Sequence, residues 1–217
     1  MSYITREDAV NAISRMKLFY DELNILYARH GIALESNSGR RNVVLSQAQE
    51  EFFASEISKH YSGVEVDGKT GKPDIVLGQL GIELECKLTS PNKDGAVTMQ
   101  ADELSVSDVP KDFLYVVTKG MKDFAVFHFI GLVRSDFSKT PGIRAKGKVR
   151  LLKNKAHKKC YCLIGGMANK RDNMIEEIKK SIKNVSKKAV KKEKALQERL
   201  KFWNASENSY TICYEHM

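Results

Sequence analysis

The chain has 217 residues, 42% of them apolar and 29% charged, enough for one well-buried core and too few for two large ones. No run approaches the roughly 18 uncharged apolar residues of a membrane span, and MSYITREDAV lacks the basic-then-apolar pattern of a secretion signal, so the sequence predicts a cytoplasmic globular protein. The net charge of +9 is unevenly placed: residues 139–201 hold 21 Lys+Arg against 5 Asp+Glu, whereas 1–138 hold 15 against 20. Such asymmetry points to a polyanionic partner, nucleic acid or membrane surface, although a lysine-rich helix facing water gives the same count.

In chain order, Thr5 with Asp8 three residues on forms a capping box. It opens a helix over about 5–30, along which Val10, Ile13, Met16, Tyr20, Leu23 and Leu26 recur at three- and four-residue steps. GIALESNSGRRN reads as a loop. Ser46 and Gln49 suggest a second capping box, with a helix running to about Tyr61 and stopped by Gly63. VEVDG and KPDIVLG read as short strands, and GIELECKLT is the clearest strand of all. Along it Ile82, Leu84, Cys86 and Leu88 fall on one face, and Glu83, Glu85 and Lys87 on the other. FLYVVT and FAVFHFIGLV have the apolar length of central strands. GKVRLL and YCLIG read as shorter strands, a lysine-rich helix covers about 172–202, and SYTICYE reads as a closing strand. With no linker or repeat, the pattern predicts one α/β (α+β) domain over 1–217 with a mixed central sheet flanked by helices.

Three consecutive charged side chains on one face of a strand with apolar neighbours make a poor core. Asp74, eleven positions before Glu85, opens the preceding strand. The tight turn Gly78-Gln79-Leu80-Gly81 makes the two strands antiparallel neighbours, which brings Asp74 towards Glu85. Two carboxylates about 4 Å apart repel by about 4 kcal/mol at an effective dielectric near 20, so such a pair implies a bridging cation or a shared proton. Mg²⁺, a hard ion that takes one or two carboxylates with phosphate oxygens and water, suits it. Lys87 adds a positive charge on the same face, able to position a water and offset charge on phosphorus.

Pro73-Asp74, ten intervening residues and then Glu85-Cys86-Lys87 resemble the signature of the PD-(D/E)XK nuclease superfamily, which includes most type II restriction endonucleases. The resemblance covers roughly residues 46–133 and implies a restriction-endonuclease-like core, with 5–30 as an added helix and 139–202 as a basic extension. It implies that Asp74, Glu85 and the backbone carbonyl of Cys86 bind Mg²⁺ and that Lys87 serves the attacking water. The expected activity is sequence-specific cleavage of double-stranded DNA by a homodimer with no organic cofactor. A nicking repair enzyme or Holliday-junction resolvase of the same fold is the enzymatic alternative, and a non-catalytic DNA-binding protein the other. Many relatives add an acidic residue on the helix before the first core strand. On a wheel of 46–61, Glu50 falls within about 60° of Phe53, Ala54, Ile57 and Tyr61, with Glu51 about 100° away. Glu50 is therefore a further candidate metal ligand, against the plain reading that it favours the helix N-terminal turn.

Candidates for DNA contact are Arg40 and Arg41 in the Gly/Ser/Asn loop, Thr98 and Gln100 in a strand-like alternation with Asp102, and Lys183, Lys187 and Lys191 on the basic helix. For Thr98 and Gln100 the alternative is a plain surface strand. For the lysines it is a helix laid on its own domain, or a short heptad seam (Ile175, Ile178, Ile182, Val185, Ala189) that fails at Lys192. The four cysteines offer no C-x-x-C, and the five histidines show no metal-ligand spacing. Both sets read as structural.

Overall fold

A computed structural model of the chain describes residues 1–67, 72–92, 96–138, 147–165, 175, 178–182 and 190–205. Helix α1 spans Arg6–Arg29, and its cap is the expected one. The Thr5 hydroxyl accepts from Asp8 N–H at 3.1 Å, and the Asp8 carboxylate accepts from Thr5 N–H at 2.8 Å. Helix α2 spans Ser38–Ile57 and so begins eight residues before the expected Ser46. The reason is Asn37, whose side-chain oxygen accepts from Arg40 N–H at 3.0 Å and supplies the N-cap. Ser46 sits inside the helix and returns its hydroxyl to Val43 O. The end of what read as a loop, residues 38–42, therefore joins 43–45 in two added helical turns, held because Arg41 and Leu45 are buried.

The strands are β1 (Val64–Val66), β2 (Ile75–Leu77), β3 (Ile82–Thr89), β4 (Gln100–Asp102), β5 (Lys111–Lys119), β6 (Asp123–Leu132), β7 (Lys148–Arg150) and β8 (Cys160–Ile164). Six of them form one sheet in the order β1-β2-β3-β5-β6-β8. The β3–β5 pair is parallel and the other pairs antiparallel, so the sheet is mixed. A parallel neighbour needs a crossover, and residues 90–110 provide it. β4 lies on that crossover and pairs with β7 in a separate two-stranded sheet.

β5 and β6 are buried along nearly their whole length because both faces are covered. On one face Leu84, Cys86, Leu114, Val116 and Val126 pack under α1 and α2, against Met16, Leu45, Phe53 and Ile57. On the other, Phe113, Tyr115, Phe127 and Phe129 pack under β4 and β7 with Val149, Leu151 and Phe137. The two helices are tied by Glu56, 3% exposed, which accepts from Asn11 and pairs with Arg15 and Lys59. A short helix α3 (Lys153–Ala156) precedes β8. In the lysine-rich region, residues 178–182 are helical and α4 spans Val190–Ala205. The expected closing strand SYTICYE lies outside the described residues. Among the described residues no helix is long and apolar enough to cross a membrane.

Candidate active site

The hairpin β2–β3 builds the centre of the site. Its turn is a single 3₁₀ step, Gly78–Leu80, closed by Gly81 at φ +63°, the left-handed region where only glycine is free of strain. Gly78 packs on Gly63, and a Cβ on Gly78 would meet Gly63 O at 3.0 Å. The register pairs Ile75 with Leu84, Val76 with Glu83 and Leu77 with Ile82. One step further along, Asp74 arrives beside Glu85, as the hairpin predicts.

There the ladder stops. Pro73 has no N–H to extend it, and the Cys86 N–H beyond the last β2 pair donates to Asp74 Oδ2 at 2.7 Å. A side-chain carboxylate thus takes the place of a strand neighbour, which fixes Asp74 against β3. Lys87 Nζ donates to Glu85 Oε2 at 2.8 Å and to Asp74 Oδ2 at 3.2 Å. The Glu85 side chain is 7% exposed, Asp74 19% and Lys87 21%, so the three meet at the edge of the covered sheet, with one side open. Burial alone would discharge Lys87, but Glu85 and then Asp74 outweigh it and hold the ammonium above the ordinary lysine range. Within the described residues Asp74 Oδ1 and Glu85 Oε1 accept no hydrogen bond.

Glu50 approaches from α2. It is half-buried, and its carboxyl is pushed up to about 7 by burial first, then by Asp74; Lys87 pulls the other way. Glu51 is exposed. The helical wheel needs correcting: the buried stripe runs Leu45, Gln49, Phe53, Ile57, so Glu50 flanks it. The wheel was skewed by Tyr61, which lies beyond the end of α2 at Ile57. This position on the flank is what lets Glu50 reach the carboxylates. The residue the sequence reading missed is Gln49, fully buried, donating to Leu114 O at 3.2 Å. Its four-residue spacing from Leu45 and Phe53 could have revealed it once the helix start was known.

Two neighbours close the site. Tyr115, paired with Lys87 in the β3–β5 register, is fully buried and donates to Gln100 O at 3.1 Å. Burial, then Glu85, raises its phenol beyond the ordinary range. The Cys86 thiol faces the helices and is raised by burial and then by Asp74, which makes it a packing group and no nucleophile. Glu83 is 48% exposed and pairs with Lys111 at 2.9 Å, a solvated carboxylate outside the Asp74–Glu85–Lys87 cluster.

The candidate DNA contacts are scattered. Arg40 is exposed on the first turn of α2, but Arg41 is 3% exposed and donates to Ser90 Oγ at 3.0 Å; it joins α2 to the end of β3 and is not on a loop. Thr98 is exposed. Gln100 is half-buried on β4, and Asp102 on the same strand pairs with Lys148. Lys183 and Lys187 lie outside the described residues, and Lys191 is on the first turn of α4.

Among the described residues no group of three or more His, Cys, Asp or Glu is gathered tightly enough to hold a metal ion by itself. Two converging carboxylates, each with an oxygen to spare, nevertheless match the donor set of Mg²⁺, which keeps several waters and takes its remaining ligands from phosphate. No model of a known protein family matches the chain, and no curated protein matches it.

Proposed function

We propose that the chain is a Mg²⁺-dependent endonuclease that hydrolyses phosphodiester bonds in double-stranded DNA, of the restriction-endonuclease type. The observation that carries this reading is the convergence of Asp74, Glu85 and Lys87 at the open edge of β3, with Glu50 alongside. Asp74 and Glu85 are the residues to hold the ion, with the Cys86 carbonyl as the further ligand that the PD-(D/E)XK resemblance implies. Mg²⁺ bound there would polarise a phosphate oxygen and acidify a water. Lys87, charged and fixed between the carboxylates, orients the attacking water and offsets negative charge on the pentavalent phosphorus. Water adds to phosphorus, and the sugar oxygen leaves with a proton.

Holding the duplex requires positive charge that residues 1–138 do not provide, and the basic region beyond residue 138 supplies it. Two copies related by a two-fold axis would cut both strands of a palindromic site. The test is digestion of a DNA of known sequence followed by sequencing of the fragment ends. Mg²⁺ or Mn²⁺ should give defined ends at a fixed sequence, while Ca²⁺ should support binding without cleavage. Cleavage in EDTA would refute the metal, and ends at random positions would refute sequence specificity.

A further inference from the structure

On the helix-covered face of the sheet, away from the carboxylates of the candidate site, β5 and β6 carry two ionisable groups into the core. Asp112 is 6% exposed and His128 0%. The segment before α1 lies over them: Tyr3 packs edge-on to the His128 ring, centroids 4.6 Å apart at 76°. Three polar atoms here are buried with no hydrogen-bond partner among the described residues, namely Tyr3 OH, Asp112 Oδ2 and His128 Nε2. Oδ2 and Nε2 stand 3.8 Å apart, too far for a direct hydrogen bond. The Tyr3 hydroxyl turns towards the Asp112 carboxylate closely enough for an attraction that raises the phenol and lowers the carboxyl, but the contact falls outside full hydrogen-bond geometry. A buried polar group left unpaired keeps the full cost of its lost hydration, so three in one place call for a common partner.

Proton counting identifies it. Ser2 Oγ lies 2.6 Å from Ile4 O, which can only accept, so the hydroxyl proton goes there. Ser2 Oγ is also 2.8 Å from His128 Nδ1. With the hydroxyl proton already committed, that contact requires the proton on Nδ1. Burial keeps the ring neutral, its pKa down at about 3, so Nε2 presents a bare lone pair. Asp112 uses Oδ1 to accept from Gly131 N–H at 2.7 Å and presents Oδ2 as a second acceptor. Two acceptors therefore face one donor, the Tyr3 hydroxyl. A single water satisfies all three, accepting from tyrosine and donating twice, which is the usual coordination of a buried water.

We infer that Tyr3, Asp112 and His128 form a closed binding site for one water molecule, which fastens the N-terminal segment to the sheet where β5 begins. The same residues with Ser2 have the composition of a hydrolytic triad, but they do not form one. The serine proton is committed to Ile4 O, the ring nitrogen facing serine carries a proton, and the imidazole is sealed from solvent.

The test is a crystal structure of the full chain at a resolution that places waters, together with ¹⁵N NMR of the His128 ring. One density peak within about 3.2 Å of all three atoms is expected, with the Nδ1-protonated tautomer at neutral pH. In Asp112→Leu one of the three polar partners is gone and its place is filled by carbon, so the peak should vanish while the tautomer, set by Ser2, stays. An Nε2-protonated ring, a direct Nε2–Oδ2 hydrogen bond, an anomalous signal from a metal ion, or a peak that survives in Asp112→Leu would each overturn the assignment. If that variant does not fold, the wild-type density and tautomer decide by themselves.

Discussion

Removing Lys87 is predicted to separate what the ammonium does for the fold from what it does for the reaction. Asp74 Oδ2 and Glu85 Oε2 both lie within 3.2 Å of Lys87 Nζ, which places them no more than ~6 Å from each other. Two carboxylates at about 4–6 Å repel by about 3–4 kcal/mol at an effective dielectric near 20. In Lys87→Ala that repulsion is uncompensated. Relief through the open side, where Lys87 and Asp74 are about one-fifth exposed, should reduce the loss of stability to about 2 kcal/mol, or roughly 4–8 °C in melting temperature for a domain of this size. A divalent cation can replace the lost ammonium, so Mg²⁺ should raise the melting temperature more in the variant than in the wild type. Cleavage should nevertheless fall by at least about 100-fold, equivalent to about 2.7 kcal/mol of transition-state stabilisation. The assays are thermal melts across a Mg²⁺ series and single-turnover cleavage of one duplex. An unchanged melt with equal Mg²⁺ response would refute the bridging role, and cleavage within a few-fold of wild type would refute the catalytic one.

Further expectations concern three other regions. Glu50→Gln should weaken Mg²⁺-dependent cleavage by about tenfold or more, whereas Glu51→Gln, on the exposed side of α2, should be silent; equal effects would detach Glu50 from the site. Reversing Lys183, Lys187, Lys191 and Lys194 should flatten the salt dependence of duplex binding in Ca²⁺, by a slope of about 0.9 per lost phosphate contact, without changing the preferred cutting sequence. Parallel lines with equal intercepts would place the DNA elsewhere. His128, held down to about 3 by burial against about 6.5 when unfolded, stays neutral in the fold while the unfolded chain takes up a proton. Stability should therefore decline as pH falls from about 6.5 towards 3, by at most about 5 kcal/mol. The raised Asp112 carboxyl acts in the opposite sense, because the fold then binds its proton more readily than the unfolded chain. Denaturant titrations should show a shallower decline in His128→Gln, and an unchanged slope would assign the acid sensitivity to other groups.

The sequence by itself determined the elements whose signals are local. Alternation along GIELECKLT put Glu85 and Lys87 on one face of a strand, and the four-residue Gly-Gln-Leu-Gly turn left the preceding strand an antiparallel neighbour, which brought Asp74 to Glu85. The Thr5–Asp8 capping box likewise needed only adjacent residues. Tertiary structure decided the rest. The start of α2 moved to Ser38 because burial of Arg41 and Leu45 outweighed the glycine and serine that suggested a loop. That longer helix rotated the buried stripe to Gln49 and left Glu50 on its flank. The pairing of β3 with β5 across residues 90–110 also had no local signal, since a parallel crossover is set by how layers pack. The meeting of Tyr3 with Asp112 and His128 joins the N-terminal segment to residues more than a hundred positions further on, each unremarkable in its own stretch, and only the closed fold brings their polar atoms face to face.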